Sequence, residues 1–172
     1  MRARVFSIVA VVMLAAGCAS REQAATAAMI RGDEYLRDGR AAAAIIEYRN
    51  AAKKQPKWPE IYRKLGDAYA AQGSGEEAYR AYCTAIDLDQ ADTHSRVEAG
   101  RLLLSAGRYS EALVRAEQVL ERSERDTGAA VLASRALAKM NRTDEALAQL
   151  DAAIANDPAP QVYAALGEIR RA

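Results

Sequence analysis

The side chains in this 172-residue chain that are equipped for chemistry are few and scattered. It has one histidine, His94, and two cysteines, Cys18 and Cys83. His94 follows Asp92 and Thr93 at a helix start, and no further metal ligand or nucleophile stands at a spacing that would bring it within reach. It therefore reads as a solvated polar residue, not as a general base or metal ligand. Cys83 lies in Ala81-Tyr82-Cys83-Thr84-Ala85 with Arg80 as its nearest base, which is not the pKa-lowering neighbourhood a reactive thiolate needs. The carboxylate pairs Glu76-Glu77 and Asp144-Glu145 fall where helices begin, so they complement the positive helix end and are not acid/base partners. No Gly-rich loop leads from a strand into a helix. No catalytic residue, metal site or cofactor is expected.

Cys18 is a different case because of what precedes it. A basic start with Arg2 and Arg4 runs into an apolar stretch from Val5 to Gly17, broken only by Ser7 and ending in small residues. This is the layout of a secretory signal peptide, and it falls well short of the roughly 20 apolar residues that cross a bilayer. Leu14-Ala15-Ala16-Gly17-Cys18 resembles the lipobox of bacterial lipoproteins, with Ala15 where Leu is commoner. The resemblance implies that residues 1–17 are removed and that Cys18 is acylated as the first mature residue. Several acyl chains then hold firmly, at about 0.8 kcal/mol per buried methylene. The alternative is a plain signal peptide and a free periplasmic protein. Ala19, where an Asp would signal inner-membrane retention, favours the outer membrane, facing the periplasm. With Cys18 modified, Cys83 has no partner for an intramolecular disulfide.

Composition bounds the rest. A chain 51% hydrophobic and 27% charged is globular, and abundant alanine with one Phe and one Trp suits closely spaced helices better than sheets. Removal of Arg2 and Arg4 takes 24 basic residues to 22 against 23 acidic ones. Such a near-neutral, dispersed charge supplies no electrostatic footprint for nucleic acid.

Self-similarity decides the fold class. Gly32, Gly66 and Gly100 recur at intervals of 34 with Ser134 next in line, and Gly39, Gly73 and Gly107 form a second series continuing to Asn141. Ala44, Ala78, Ala112 and Ala146 keep the same spacing, as do Tyr48, Tyr82, Ala116 and Leu150, and then Ala51, Ala85, Val119 and Ala153. The first glycine series lies inside helices, where glycine costs up to about 1 kcal/mol relative to alanine, so each should admit a neighbouring helix. The second series follows helical runs and should supply left-handed helix stops. The alanine and Tyr/Leu positions share one face and form a seam that one helix pair cannot bury alone.

This pattern resembles the tetratricopeptide repeat, best in Tyr62-Arg63-Lys64-Leu65-Gly66-Asp67-Ala68-Tyr69 with Ala78, Tyr82 and Ala85. The resemblance implies an all-α, right-handed superhelical solenoid of four helix pairs, residues 25–58, 59–92, 93–126 and 127–160, behind a short tether at 18–24. A capping helix would occupy 161–172. Departures grow toward the C-terminus, where Ala130, Ser134 and Leu137 replace the aromatic, the glycine and the tyrosine. Ser20 with Gln23 matches a capping box that would start the first helix. In 161–172, Val162, Tyr163, Leu166 and Ile169 fall at helical spacing. This is either a simple cap or, through an exposed side of Tyr163 and Ile169, a seat for another subunit or partner.

The family uses the concave face of its first helices to recognise peptides or partner helices. Carried over residue by residue, that face is Thr26, Met29, Asp33 and Arg37; Glu60, Arg63 and Asp67; His94, Val97 and Arg101; and Val131, Arg135 and Lys139. Its first half mixes charges, whereas Arg101, Arg135 and Lys139 are expected to be basic without acidic company. They either receive an acidic peptide or carboxy terminus, as Arg does by bidentate bonds, or form a solvated basic face. The functional expectation is a membrane-anchored adaptor for an envelope protein or peptide, as in lipoproteins that assist pilus-secretin assembly, exopolysaccharide export or outer-membrane protein assembly. The alternatives are a self-associating homo-oligomeric lipoprotein and an enzyme acting on cell-wall polymers.

Overall fold

The computed structural model describes residues 2–171, with side chains described from Ser20 to Arg171. The described residues form nine α-helices and no strand. They group into two compact units, Met1–Leu88 and Asp89–Ala172. The first holds α1 (Arg2–Arg37), α2 (Ala41–Lys54), α3 (Pro59–Gln72) and α4 (Gly75–Leu88). The second holds α5 (Thr93–Ser105), α6 (Tyr109–Leu120), α7 (Thr127–Lys139), α8 (Thr143–Asn156) and α9 (Pro160–Ile169). Among the described residues no helix is long and apolar enough to cross a membrane. The acylation expected at Cys18 concerns a side chain outside the described residues.

Four turns of one kind separate the helices of each pair. Gly39, Gly73 and Gly107 stand at φ +73°, +83° and +76°, and Asn141 takes the fourth place at φ 60°. In every case the turn residue's N–H and the next one return to the preceding helix, as in Gly73 to Ala70 at 3.0 Å and Ser74 to Tyr69 at 2.9 Å. This satisfies carbonyls that the helix end would otherwise leave open, and it needs a residue tolerant of the left-handed region. The starts of first helices use two solutions. Asp92 and Asp126 cap α5 and α7 by accepting from Ser95 N at 2.9 Å and Ala129 N at 2.8 Å, while Pro59 and Pro160 open α3 and α9. One expected start is absent: α1 runs unbroken through Ser20, because Arg21, Glu22, Gln23, Ala24 and Ala25 are good helix formers and nothing interrupts them.

Unit one is held by a tyrosine laid against a glycine in each pair. Tyr48 and Tyr82 are 0% and 1% exposed. A Cβ on Gly32 would stand 2.4 Å from the Tyr48 ring, and one on Gly66 would stand 2.4 Å from the Tyr82 ring. The phenols reach across to the residue after each glycine, donating to Asp33 and Asp67 at 2.7 Å. A large aromatic is thereby buried with its polar end satisfied. Unit two meets the same geometry differently. Ala116 leaves no ring for Gly100, and the space goes to Leu132 of α7, 2.4 Å from a Cβ added at that glycine. Ser134 replaces the next glycine, its hydroxyl returned to Ala130 O at 2.6 Å, and Leu150 is fully buried.

A second slot recurs with changed chemistry. Tyr62 donates to the carbonyl of Pro56 at 2.9 Å. Arg96, 34 residues later, is 5% exposed and donates to the carbonyl of Gln90 at 2.8 Å and to its side-chain oxygen at 2.9 Å. Burial, and then the charges of Arg122 and Arg115, depress the Arg96 pKa, and its Nε has no hydrogen-bond partner.

Two stability outcomes follow. Gly66→Ala should cost about 1–3 kcal/mol by forcing the Tyr82 ring aside, and pairing Gly66→Ser with Tyr82→Leu, the residues of the fourth pair, should recover part of that loss in a double-mutant cycle. Arg96→Tyr should keep the bond to the Gln90 carbonyl while removing a buried charge, and so stabilise by about 1 kcal/mol or more in denaturant titration; a loss would show that the guanidinium does more than fill the slot.

Candidate functional site

The residues expected to face a partner are placed by the first helices, and each unit holds its own set. In unit one, Asp33 is fixed from two sides: Tyr48 Oη donates to it at 2.7 Å from α2, and Lys64 Nζ stands 2.8 and 3.0 Å from its two oxygens from α3. Glu60 lies 3.7 Å from Arg63 and 4.0 Å from Lys64, so α1 and α3 carry one linked network. Asp67 accepts from Tyr82. Arg37 closes α1 in its last turn, exposed, and makes no ion pair among the described residues. Arg31, also on α1, is held by Glu47 of α2 at 2.7 Å. The outcome is a half-exposed, mixed-charge face with Asp33 anchored and Arg37 and Arg63 toward solvent.

Unit two differs from expectation. Arg101 is paired with Glu98 on its own helix at 3.1 Å, and Arg135 grips Glu168 of α9 through Nε and Nη2 at 2.9 to 3.1 Å. They are therefore not basic residues without acidic company; of the three, Lys139 alone is exposed and makes no ion pair among the described residues. The physical reason is that neighbouring first helices set residues 31 to 34 apart side by side, as in Lys64 with Asp33, Arg135 with Glu168, and Gln161 with Thr127 at 2.7 Å. Lys64 and Glu168 carry no signal within one repeat and are marked only by that 31- to 34-residue spacing, whereas Glu98 is marked by its place three residues before Arg101 on the same helix.

Two further corrections concern apolar residues. Met29, Val97 and Val131 are 8%, 6% and 5% exposed and belong to the core, not to a binding face. In α9, Ile169 is 7% exposed and turns inward with Val162, Ala165 and Leu166, leaving Tyr163 exposed at 49%. His94 stands exposed in the first turn of α5. Glu76-Glu77 and Asp144-Glu145 occupy the first turns of α4 and α8. A cleft of about 380 Å³ opens among α6, α7 and α8, lined in part by Leu113, Glu117, Leu137, Arg142 and Glu145; no periodicity in the sequence announces it.

A strongly perturbed ionisable group of unit one sits under this face. Burial first, then the hydrogen bond to Asp33 and the charges of Asp33 and Asp67, push the Tyr48 phenol well above its ordinary range. The folded state thus holds this proton more tightly than the unfolded chain. That contribution is present in full below the unfolded phenol's value near 10 and drains away as pH rises above it. Thermal melts from pH 8 to pH 11 should show the native protein losing stability faster than Tyr48→Phe, which should itself cost about 1 kcal/mol at neutral pH for the lost hydrogen bond. Parallel curves would place the phenol's contribution elsewhere.

Comparison with known proteins agrees with this architecture. Models described as tetratricopeptide repeat match residues 103–169 and 59–92, and one described as TPR repeat matches residues 32–73. Superkiller complex protein 3 of Mus musculus is 27% identical over 94 residues, 55% of this chain and 6% of that protein. The chain therefore spans only a small part of the curated relatives it matches. MamA 41-end from Desulfovibrio magneticus RS-1 superposes with a TM-score of 0.76 at 21% identity, over 86% of this chain and 84% of that one. YrrB, described as a TPR protein with an unusual peptide-binding site, gives 0.74 at 24% identity over 86% and 75%. At such identities the likeness is one of fold. With repeats matched over residues 32–92 and 103–169 and the glycine-centred helix pairs that build them, the chain carries tetratricopeptide repeats over those residues.

Proposed function

We propose that this chain is a lipid-anchored interaction scaffold of the bacterial cell envelope, fixed through Cys18 to the periplasmic side of the outer membrane, and that it holds an envelope protein or peptide on its first helices without catalysing a reaction. The observation that carries the binding part is the unit-one face, where Asp33 is immobilised by Tyr48 and Lys64 while Arg37 and Arg63 remain toward solvent. Preorganised charges of both signs suit a peptide or helix with fixed polar register, because little ordering cost remains at binding. The anchor part rests on Leu14-Ala15-Ala16-Gly17-Cys18 after an apolar run. The peptide-binding site described for YrrB supports the class of ligand by analogy of fold. Dispersed charge gives no reason to invoke nucleic acid.

A second reading, self-association without a separate client, is favoured by one observation, the exposed Tyr163 on α9.

In-cell crosslinking of the lipoprotein should capture a specific envelope partner, and an Arg37→Glu, Arg63→Glu variant of unchanged helicity should lose at least about tenfold of that capture. Capture that is equal in both proteins rejects the unit-one face. Self-crosslinks alone, abolished by Tyr163→Lys, establish the second reading.

A further inference from the structure

In unit one the register of α1 against α2 determines which loop lies beside the start of the proposed mature chain. Gly32 faces Tyr48, and Arg31 pairs with Glu47. From that level, stepping back along α1 to Ala25 and forward along α2 to Lys53 moves roughly 8–10 Å toward one end of the helix pair, at about 1.5 Å per residue. Ala25 and Ala51, both 0% exposed, meet in one buried cluster, as that register requires. At this end α2 finishes in Lys53-Lys54 and runs into Gln55-Pro56-Lys57-Trp58, the six residues together forming one basic corner loop with the helix end. Lys53, Lys54 and Lys57 are all exposed and make no ion pair among the described residues, and the chain from Arg49 to Pro59 contains no acidic residue. Trp58 is half-buried, packed against the unit-one core beside them.

Nothing in the turn itself demands these charges. The corresponding stretch at the end of α4, Asp87-Leu88-Asp89-Gln90-Ala91-Asp92, is acidic, that at the end of α6, Glu121-Arg122-Ser123-Glu124-Arg125-Asp126, is mixed, and that at the end of α8, Asn156-Asp157-Pro158-Ala159, is acidic. The basic loop belongs to the first pair alone. Cys18 precedes Ala25 by so few residues that the two are separated by no more than about 25 Å even along a fully extended chain. Any membrane that held acyl chains at Cys18 would be within reach of this loop.

We propose that Lys53, Lys54 and Lys57, with Trp58, contact anionic phospholipid headgroups and seat the first helix pair on the membrane that holds the Cys18 acyl chains. The proposal rests on the lipid-anchor reading above. Lysines placed close to a negatively charged leaflet are each attracted to it, and the indole ring belongs at the headgroup level. The acyl chains supply attachment, and the lysines supply orientation.

Trp58 is the chain's single tryptophan, so its emission reports on this loop alone. The acylated protein is reconstituted into vesicles of phosphatidylcholine, with or without about one third phosphatidylglycerol, and quenching of Trp58 by brominated lipid is measured. Quenching should rise at least about twofold with phosphatidylglycerol, fall back in about 0.5 M salt, and lose its dependence on phosphatidylglycerol in Lys53→Gln, Lys54→Gln, Lys57→Gln of unchanged helicity. Trp58 that ignores phosphatidylglycerol, or a response that survives in the triple variant, overturns the proposal and points instead to an acidic protein segment as the occupant. Flotation on pure phosphatidylcholine vesicles and the mass of the Cys18 peptide report separately on the anchor. A chain that does not float refutes the anchor and the seating with it, whereas one that floats but shows no lysine-dependent quenching refutes the seating alone.

Discussion

The close approach of two helices at a residue without a side chain is the constraint on which the rest of unit one depends. Gly32 and Gly66 accept the rings of Tyr48 and Tyr82 where a single methyl group would collide. A glycine inside a helix is unfavourable by itself, so the position is sustained only by what it permits: full burial of a tyrosine and a phenol that reaches an aspartate on the facing helix. From this contact follow the register of α1 on α2, the level of Arg31 with Glu47, and the fixed position of Asp33 on the exposed face. Core packing and the arrangement of charges toward a partner are thus one structure, because the same aspartate takes part in both.

Unit two keeps the helix-pair plan while replacing its parts. Gly100 is filled by Leu132 in place of a tyrosine, Ser134 stands where a glycine would be and satisfies its hydroxyl on Ala130, and Arg96 does from a guanidinium what Tyr62 does from a phenol. The substitutions change the electrostatics. Where unit one spends a lysine on Asp33, unit two spends Glu98 and Glu168 on Arg101 and Arg135, so the apparent basic surplus is internally neutralised. The Arg135 to Glu168 pair also ties α9 to α7, making what sequence alone offered as a receptor for carboxylates a contact that holds the final helix in place.

The 34-residue recurrence of glycine, alanine and tyrosine was sufficient to read the helix pairs, the four left-handed turns and the close approaches at Gly32 and Gly66, since each of these is a local demand that few residue types satisfy. Helical content and the acidic first turns of α4 and α8 were legible for the same reason. Which long side chains point outward was not. Met29, Val97, Val131 and Ile169 lie on helix faces whose burial depends on a neighbouring helix, and their position in the repeat could not rank that contact against solvent. The charge partners Lys64 with Asp33 and Glu168 with Arg135 were likewise decided by tertiary structure, because only the stacking of one first helix on the next brings residues 31 to 33 apart within ion-pair distance. The sequence by itself determined the repeat, its turns and its glycine contacts; the packing between helices determined which of the charges remain available to a partner.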